Sequence, residues 1–218
     1  MQKLTINIFT TKNSWMNPFD EKLKECLENR GHIVHCISSK TELHDADISL
    51  LLSCLEILEP EYLEKSKHNL VVHASDLPHG KGWSPATWQI IEGKNNIPLT
   101  LFEATQQVDS GPVYITDNIQ LDGAELIDDW QKLMGNKIVD ICLQFVDNYP
   151  QIISNGRKQS GHETFYPRRR PQDSELDINK TIAEQFNLLR VVDNEKYPAF
   201  FIKDGKKYII QISKDKNE

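Results

Sequence analysis

The chain has 218 residues, of which 39% are hydrophobic, and its formal net charge is −7. This length and apolar share are sufficient for one large domain, or for one domain with a small appendage. The acidic balance disfavours binding of nucleic acid over the whole surface, so an anionic ligand needs a local basic cluster or a helix N-terminus.

The first third of the chain alternates between predicted strands and helices. A strand is predicted at 4–9, a helix at 18–30, strands at 33–37 and 47–52, a short helix at 60–65 and a strand at 70–73. The apolar run at 47–52 is typical of a strand covered on both faces of a parallel sheet. This alternation predicts an α/β fold with flanking helices, in which ligands bind beyond the carboxyl ends of the strands. His73 stands at one such end.

The rest of the chain contains a second group of predicted elements. These are a helix at 84–92 with Ser84 as N-cap, strands at 99–104 and 112–116, and a helix at 124–149. An apolar stripe at helical spacing in the last helix is interpreted as core: Leu126, Trp130, Leu133, Met134, Ile138, Ile141 and Phe145.

The sequence becomes polar after Pro150, and this change predicts a domain boundary. A ligand-binding domain is expected at 1–153 and a C-terminal extension at 154–218. The extension is predicted to hold a helix at 179–191 and a β-hairpin formed by 200–202 and 207–212. Because it is too small to fold alone, we expect it to pack on the first domain.

Four cysteines are scattered along the chain without a CxxC pair: Cys26, Cys36, Cys54 and Cys142. This pattern predicts buried free thiols in a reducing compartment, not disulfides, and no metal site. The N-terminus lacks the apolar core of a signal peptide, and no stretch is long enough to span a membrane. We therefore expect a soluble, cytoplasmic protein that does not act at a membrane.

Two segments carry the residue types of an active site. In residues 73–85 a histidine is followed by a loop with glycines, prolines and a lysine that leads into a helix. Asp109 lies in a turn between two predicted strands. A His–Asp pair can take a proton from an amine or stabilise a developing oxyanion. Taken singly, however, His73 and Asp109 are more simply a structural histidine and a turn aspartate.

The order of these residues resembles the folate-dependent formyltransferases. The resemblance covers roughly 45–150, and it is carried by His73, Ser75, Leu77, Pro78, Lys81, Gly82, Pro85, Gly93, Thr100, Asp109, Gly111 and Pro112. It implies a Rossmann-like, mostly parallel sheet that binds N10-formyltetrahydrofolate as co-substrate, without a metal. It also implies that His73 and Asp109 are the catalytic pair, and that folate contacts Ser53, Leu55, Ile57, Lys81, Gly82 and Asp109.

One position departs from the resemblance. The family pattern has an asparagine two residues before the histidine, whereas this chain has Val71, which offers no hydrogen bond. Three alternatives follow: another donor such as Ser75, Lys81 or a backbone N–H replaces the asparagine, the chain is a divergent member, or it is inactive. An oxyanion donor is commonly worth about a hundredfold or more in rate.

The C-terminal extension resembles the tail of amino-sugar N-formyltransferases, from Tyr166 through three arginines to Phe200. Residues 82–88 are also similar to a formyltransferase of the pseudaminic acid pathway. The resemblance implies formylation of an amino sugar or nucleotide-linked amino sugar in surface-glycan precursor biosynthesis. The predicted substrate-binding residues are Ser75, Trp83, Tyr166, Arg168, Arg169 and Arg170. The arginines suit a phosphate or carboxylate, although a solvated basic turn explains them equally well.

Several other functions are weighed against this one. Formylation of transfer RNA is disfavoured because the chain is acidic and has no room for a large RNA-facing domain. Glycinamide ribonucleotide formylation fits the length but not the arginines. A formyltetrahydrofolate hydrolase and a catalytically inert folate- or sugar-binding module remain alternatives. A homodimer that pairs the terminal hairpin across a two-fold axis is a further possibility.

Overall fold

The computed structural model describes residues 2–215. The strands are β1 (Thr5–Phe9), β2 (Ile33–Ile37), β3 (Ala46–Leu51), β4 (Ser66–His73), β5 (Lys81–Gly82), β6 (Asn96–Glu103), β7 (Val113–Gln120), β8 (Phe165–Tyr166), β9 (Ala199–Lys203) and β10 (Lys206–Ile210). The α-helices are α1 (Asn17–Asn29), α2 (Pro60–Leu63), α3 (Pro85–Ile91), α4 (Ile127–Asp147) and α5 (Phe186–Leu189). Short 3-10 helices occur at Lys40–Glu42, Gln151–Asn155, Pro171–Ser174 and Ala183–Gln185.

Six strands form one sheet in the order β2-β1-β3-β4-β6-β7. Strands β2, β1, β3 and β4 run parallel to one another, whereas β6 is antiparallel to both β4 and β7. The predicted α/β, mostly parallel, Rossmann-like sheet is therefore confirmed. The antiparallel return of β6 places Thr100 opposite His73 at the carboxyl end of β4.

The core lies on both faces of this sheet. A large cluster joins Ile6, Ile8 and Leu50 to the apolar sides of α1 and α4, as the stripe on the long helix predicts. A smaller cluster on the alternate strand positions contains Phe9 and Leu51. The prediction is wrong for one member of the stripe, because Leu133 is 44% exposed and lies outside the core.

The helix predicted at 179–191 is wrong. The structure has a 3-10 turn and the four-residue α5 there, preceded by an irregular segment. Side chains bond the backbone in that segment: Asp177 Oδ1 accepts from the Asn179 N–H, and Gln185 Nε2 donates to the Asp177, Lys180 and Thr181 carbonyls. Such bonds compete with the hydrogen bonds of a helix. The terminal hairpin is present as β9 and β10.

The C-terminal extension is joined to the first domain through Arg190. This side chain is 1% exposed and bonds the Glu125 carboxylate at 3.1 Å and Asn95 Oδ1 at 2.9 Å. The Arg190 carbonyl in turn accepts from Trp130 Nε1 on α4 at 3.0 Å. A buried guanidinium needs such partners, so the extension and α4 are tied together at this point. The boundary at 153/154 stays a prediction.

All four cysteines are free thiols, but only Cys142 is buried and Cys36 is exposed. The prediction of buried thiols is therefore correct for one of them and wrong for Cys36. Within residues 2–215, no helix combines the length and apolar character needed to cross a membrane.

Gly135 in α4 provides a test of the packing between α1 and α4. A Cβ at this position would lie 2.5 Å from Cε2 of Phe19 on α1. Although alanine favours helix, Gly135→Ala is expected to lower the free energy of unfolding by about 1–3 kcal/mol, because the overpacked ring must shift. Urea denaturation measures this, with the exposed Lys132→Ala on the same helix as control. Equal or greater stability of Gly135→Ala would contradict the packing described here.

Candidate functional site

His73 ends β4 with a buried imidazole that is 9% exposed. Its Nε2 lies 2.9 Å from the carbonyl oxygen of Gly80. Because a carbonyl only accepts, Nε2 carries the hydrogen, and the lone pair of the neutral ring is on Nδ1. The loop that follows β4 therefore sets the tautomer of this histidine.

Asp109 lies in the turn between β6 and β7 with a left-handed backbone, φ 52°. Its Oδ2 accepts from the Gly82 N–H at 3.1 Å, and Gln159 Nε2 donates to the carbonyls of Asp109 and Gly111 at 3.0 and 2.9 Å. Within residues 2–215, no hydrogen bond joins His73 to Asp109 directly. The two side chains are instead anchored to the same loop, at Gly80 and Gly82.

Lys81 lies between those two glycines, and its side chain points into the protein. The residue is 2% exposed, and its Nζ lies 2.6 Å from Glu163 Oε1 and 3.2 Å from Ser110 Oγ. The ammonium group is thus occupied by protein partners. The predicted contact of Lys81 with folate would therefore be made by the backbone of Lys81 and not by its side chain.

Residues 157–167, which we call the bridging segment, connect both loops of the site. Thr164 accepts through Oγ1 from the Gly80 N–H and through its carbonyl from the Lys81 N–H, and it donates its own N–H to Pro78. Strand β8 pairs in parallel with β5. At Gly82 a Cβ would lie 2.5 Å from the Tyr166 carbonyl, so this close approach requires glycine.

Sequence reasoning missed the residues of this segment. Gln159, Glu163 and Thr164 lie in a stretch that we interpreted as a polar boundary between domains. Their partners are distant in sequence, at Asp109, Lys81 and Gly80. No hydrophobic period or short motif marks such contacts, and their polarity alone is also typical of an exposed loop.

Val71 replaces the family asparagine in an apolar environment. It contacts the cluster of Phe9 and Leu51, and a second cluster formed by Leu77, Phe102 and Val113. The substitution therefore joins two hydrophobic clusters at the place where the family pattern has an amide.

Ser75, one of the candidate replacement donors, is buried. It is 1% exposed, its Oγ has no protein partner, and it packs against Gly80, where a Cβ would lie 3.4 Å from that oxygen. Asn69, on the same strand as Val71, is also buried, and its amide donates to the Leu63 carbonyl at 2.8 Å.

The predicted folate loop, residues 53–58, follows β3 and is hydrogen-bonded to the turn before α1. Ser53 has a left-handed backbone, φ 51°, and its Oγ lies 2.9 Å from Ser14 Oγ. The Leu55 N–H donates to Thr11 Oγ1. Leu55 and Ile57 are 55% and 67% exposed. This loop thus presents two apolar side chains to solvent from an anchored backbone.

The predicted substrate-binding residues fall into two groups. Trp83 is 38% exposed, and the Arg168 guanidinium carbon lies 4.8 Å from its ring centroid. Tyr166, in contrast, donates to Glu92 Oε2 at 2.9 Å and stacks on Trp88. Burial and the bond to Glu92 raise the pKa of the Tyr166 hydroxyl.

The three arginines also differ in their surroundings. Arg169 points inward and bonds the Val191 carbonyl at 2.8 Å and Ser174 Oγ at 3.0 Å. Burial lowers the pKa of its guanidinium. Arg168 and Arg170 are exposed. Over residues 2–215, no group of three or more His, Cys, Asp or Glu side chains is placed to hold a metal ion.

The chain is similar in sequence to proteins of a known family. A family model described as formyl transferase matches residues 5–137. The methionyl-tRNA formyltransferase of Thermodesulfovibrio yellowstonii is 25% identical over 169 residues, which are 76% of this chain and 54% of that protein. The chain spans about half the length of the curated relatives that it matches.

Two solved structures share the fold over nearly the whole chain. A methionyl-tRNA formyltransferase from Clostridium thermocellum has a TM-score of 0.75 at 22% identity, covering 95% of this chain and 97% of that one. A sugar N-formyltransferase from Shewanella sp FDAARGOS_354 has a TM-score of 0.70 at 14% identity, covering 97% and 98%. Identities this low show the fold alone. The family model, however, covers more than half of the sequence and includes His73 and Asp109, and the chain belongs to the formyl transferase family.

Proposed function

We propose that this chain transfers a formyl group from N10-formyltetrahydrofolate to the amino group of an amino sugar or nucleotide-linked amino sugar. The observation that carries the proposal is the attachment of His73 and Asp109 to one loop, at Gly80 and Gly82, in a member of the formyl transferase family. Enzymes of this family use formyl-tetrahydrofolate. The same two residues are the proposed catalytic pair.

The loop after β3 fits a folate. Leu55 and Ile57 offer apolar side chains to a flat ring, while the backbone of 53–58 and of Gly82 offers hydrogen-bonding groups. Ser53, Lys81 and Asp109 complete the proposed contacts. When bound there, the co-substrate supplies the formyl group.

The chemistry of this chain in such a transfer is proton handling at His73. Its Nε2–H is held by Gly80, so the ring can accept a proton from the attacking amine only at Nδ1. The charged ring keeps its bond to the Gly80 carbonyl and can return the proton to the leaving nitrogen. We propose that Asp109, anchored through Gly82, contributes a negative charge to the same site.

The missing asparagine leaves open which group binds the developing oxyanion. Ser75 and Lys81 both lie below the surface, and Lys81 Nζ is already bonded. The N–H groups from Gly80 to Trp83 are already bonded to Thr164, Asp109 and Tyr166. We propose that Nδ1–H of the protonated His73 ring is the donor to the oxyanion.

An amino sugar is the proposed acceptor. Arg168 over Trp83 forms an exposed pair next to Gly82, which suits an anionic group together with a sugar or base face. The fold neighbour from Shewanella is itself described as a sugar N-formyltransferase. Ser75 is buried, and Tyr166 and Arg169 are bonded to Glu92 and Val191 within the protein, so Trp83, Arg168 and Arg170 are the predicted residues that we propose contact the acceptor directly. An acceptor from the pseudaminic acid pathway is the most specific form of the proposal. A homodimer in the cytoplasm remains part of the proposal.

Methionyl-tRNA is the second candidate acceptor, because several curated relatives carry that activity in their names. The net charge of −7 works against an extended RNA contact. A hydrolase and an inert binding module are the remaining alternatives.

Replacement of either catalytic residue tests the assignment. His73→Asn and Asp109→Asn are each expected to lower the rate of formyl transfer by roughly a hundredfold or more, because proton transfer and electrostatic support are lost. Tetrahydrofolate binding, followed by tryptophan fluorescence, should persist. The exposed His162→Asn is the matched control. Full activity in both variants would sink the assignment.

A panel of acceptors tests the substrate class. Purified protein is incubated with N10-formyltetrahydrofolate and, separately, several amino sugars, nucleotide-linked amino sugars and methionyl-tRNA, and product masses are measured. One added formyl group on a sugar supports the proposal. Formyl-methionyl-tRNA alone, formate release without acceptor, or tight folate binding without turnover would each overturn it in favour of the corresponding alternative.

The arginines allow a sharper test of acceptor binding. Arg168→Gln is expected to raise the KM of an anionic acceptor about tenfold, equivalent to about 1.4 kcal/mol, with kcat little changed. The exposed Lys158→Gln, outside the proposed substrate-binding set, is the control. Arg169→Gln should instead lower the melting temperature, because its bonds to Val191 and Ser174 are internal. An unchanged KM in Arg168→Gln would remove Arg168 from the acceptor site.

A further inference from the structure

We propose that Lys81 and Glu163 form a positioning pair, in which the buried ammonium group holds the Asp109 turn against the loop at Gly82. The C-terminal extension thereby contributes a residue on which the geometry of the catalytic pair depends. The inference rests on the proposed function of Asp109, but part of its test does not need catalysis.

The burial of Lys81 is the first observation. A lysine side chain that is 3% exposed loses nearly all of its hydration, and it is retained only where partners replace the water. Glu163 Oε1 at 2.6 Å supplies the counter-charge, and Ser110 Oγ at 3.2 Å accepts a second N–H. The Glu163 side chain itself remains half exposed. A half-exposed carboxylate of Glu163 thus pairs with the buried ammonium group of Lys81.

The second observation is where these bonds lie along the chain. Lys81 immediately precedes Gly82, whose N–H bonds Asp109, and Ser110 immediately follows Asp109. The ammonium group therefore ties together the two residues that flank the Gly82–Asp109 bond. Asp109 needs such support because its left-handed backbone is unfavourable for a residue with a Cβ.

The third observation separates positioning from simple attachment of the bridging segment. That segment is already held by three bonds of Thr164 to the loop, by the pairing of β8 with β5 and by the bond from Trp83 N–H to the Tyr166 carbonyl. It does not need the Lys81–Glu163 pair to stay in place. The effect of the pair is directed at Ser110 and the Asp109 turn.

Glu163 is the residue to vary, because its half-exposed side chain can be removed without leaving a cavity in the core. Glu163→Ala is expected to lower kcat for formyl transfer roughly tenfold, because small misplacements of catalytic groups are costly. KM for N10-formyltetrahydrofolate should change by a smaller factor than kcat, since the proposed folate contacts at Ser53, Leu55 and Ile57 are untouched and only the contact at the Asp109 turn is disturbed. Glu163→Gln should recover most of kcat, because its amide oxygen still accepts from Lys81. The exposed Glu195→Ala is the control.

Hydrogen–deuterium exchange supplies a readout that is independent of the reaction. Peptides covering residues 105–112 should exchange faster in Glu163→Ala than in the wild type, and those covering 160–167 should change less. Lys81→Met, if it folds, should show the same pattern. If the wild type transfers no formyl group to any acceptor, the proposed function fails while the exchange measurement still decides whether the pair holds the turn.

Two outcomes overturn the positioning role. One is unchanged kcat and unchanged exchange at 105–112 in Glu163→Ala. The other is a fall in melting temperature with faster exchange throughout the bridging segment and no recovery in Glu163→Gln, which would show that the pair serves only to attach the segment.

Discussion

The loop that follows β4 cannot satisfy its own backbone hydrogen bonds, and this constraint organises the site. Between Pro78 and Trp83 the chain contains one strand of only two residues, so its N–H and carbonyl groups need partners from elsewhere. Residues 164–166 of the bridging segment supply them, from Thr164 at Gly80 to the Tyr166 carbonyl at Trp83. The C-terminal extension is therefore structurally part of the site formed by the first domain.

The same loop bonds both of the proposed catalytic side chains, His73 and Asp109. By accepting from His73 Nε2, the Gly80 carbonyl determines which ring nitrogen is basic, and the Gly82 N–H holds the carboxylate of Asp109. A shift of this loop would disturb both residues together. That dependence gives physical meaning to the loss of the family asparagine: with Val71 in an apolar cluster, the orientation of His73 relies on the loop and not on a neighbouring amide.

Residues of the same type have different surroundings in the region around Trp83 and Arg168. The three arginines are consecutive in sequence, yet Arg169 donates to the Val191 carbonyl inside the protein, while Arg168 lies over the Trp83 ring at the surface. The aromatic residues divide in the same way, since Tyr166 is locked by Glu92 and Trp88 whereas Trp83 is exposed. Only the exposed members retain free faces for a substrate.

The amino-acid sequence by itself determined the α/β sheet, the place of His73 at a strand end and the family to which the chain belongs. These features rest on local signals, namely apolar periods, turn residues and an ordered motif, which act over a few residues each. The tertiary structure decided how Lys81, Gln159, Glu163 and Thr164 are used, and it replaced the helix predicted at 179–191 by side-chain bonds to the backbone. The partners of those four residues are up to 85 positions away, as Thr164 is from His79, and no local pattern encodes such partners. The helix at 179–191 is instead displaced by bonds between residues two to eight positions apart, which the apolar period alone does not reveal.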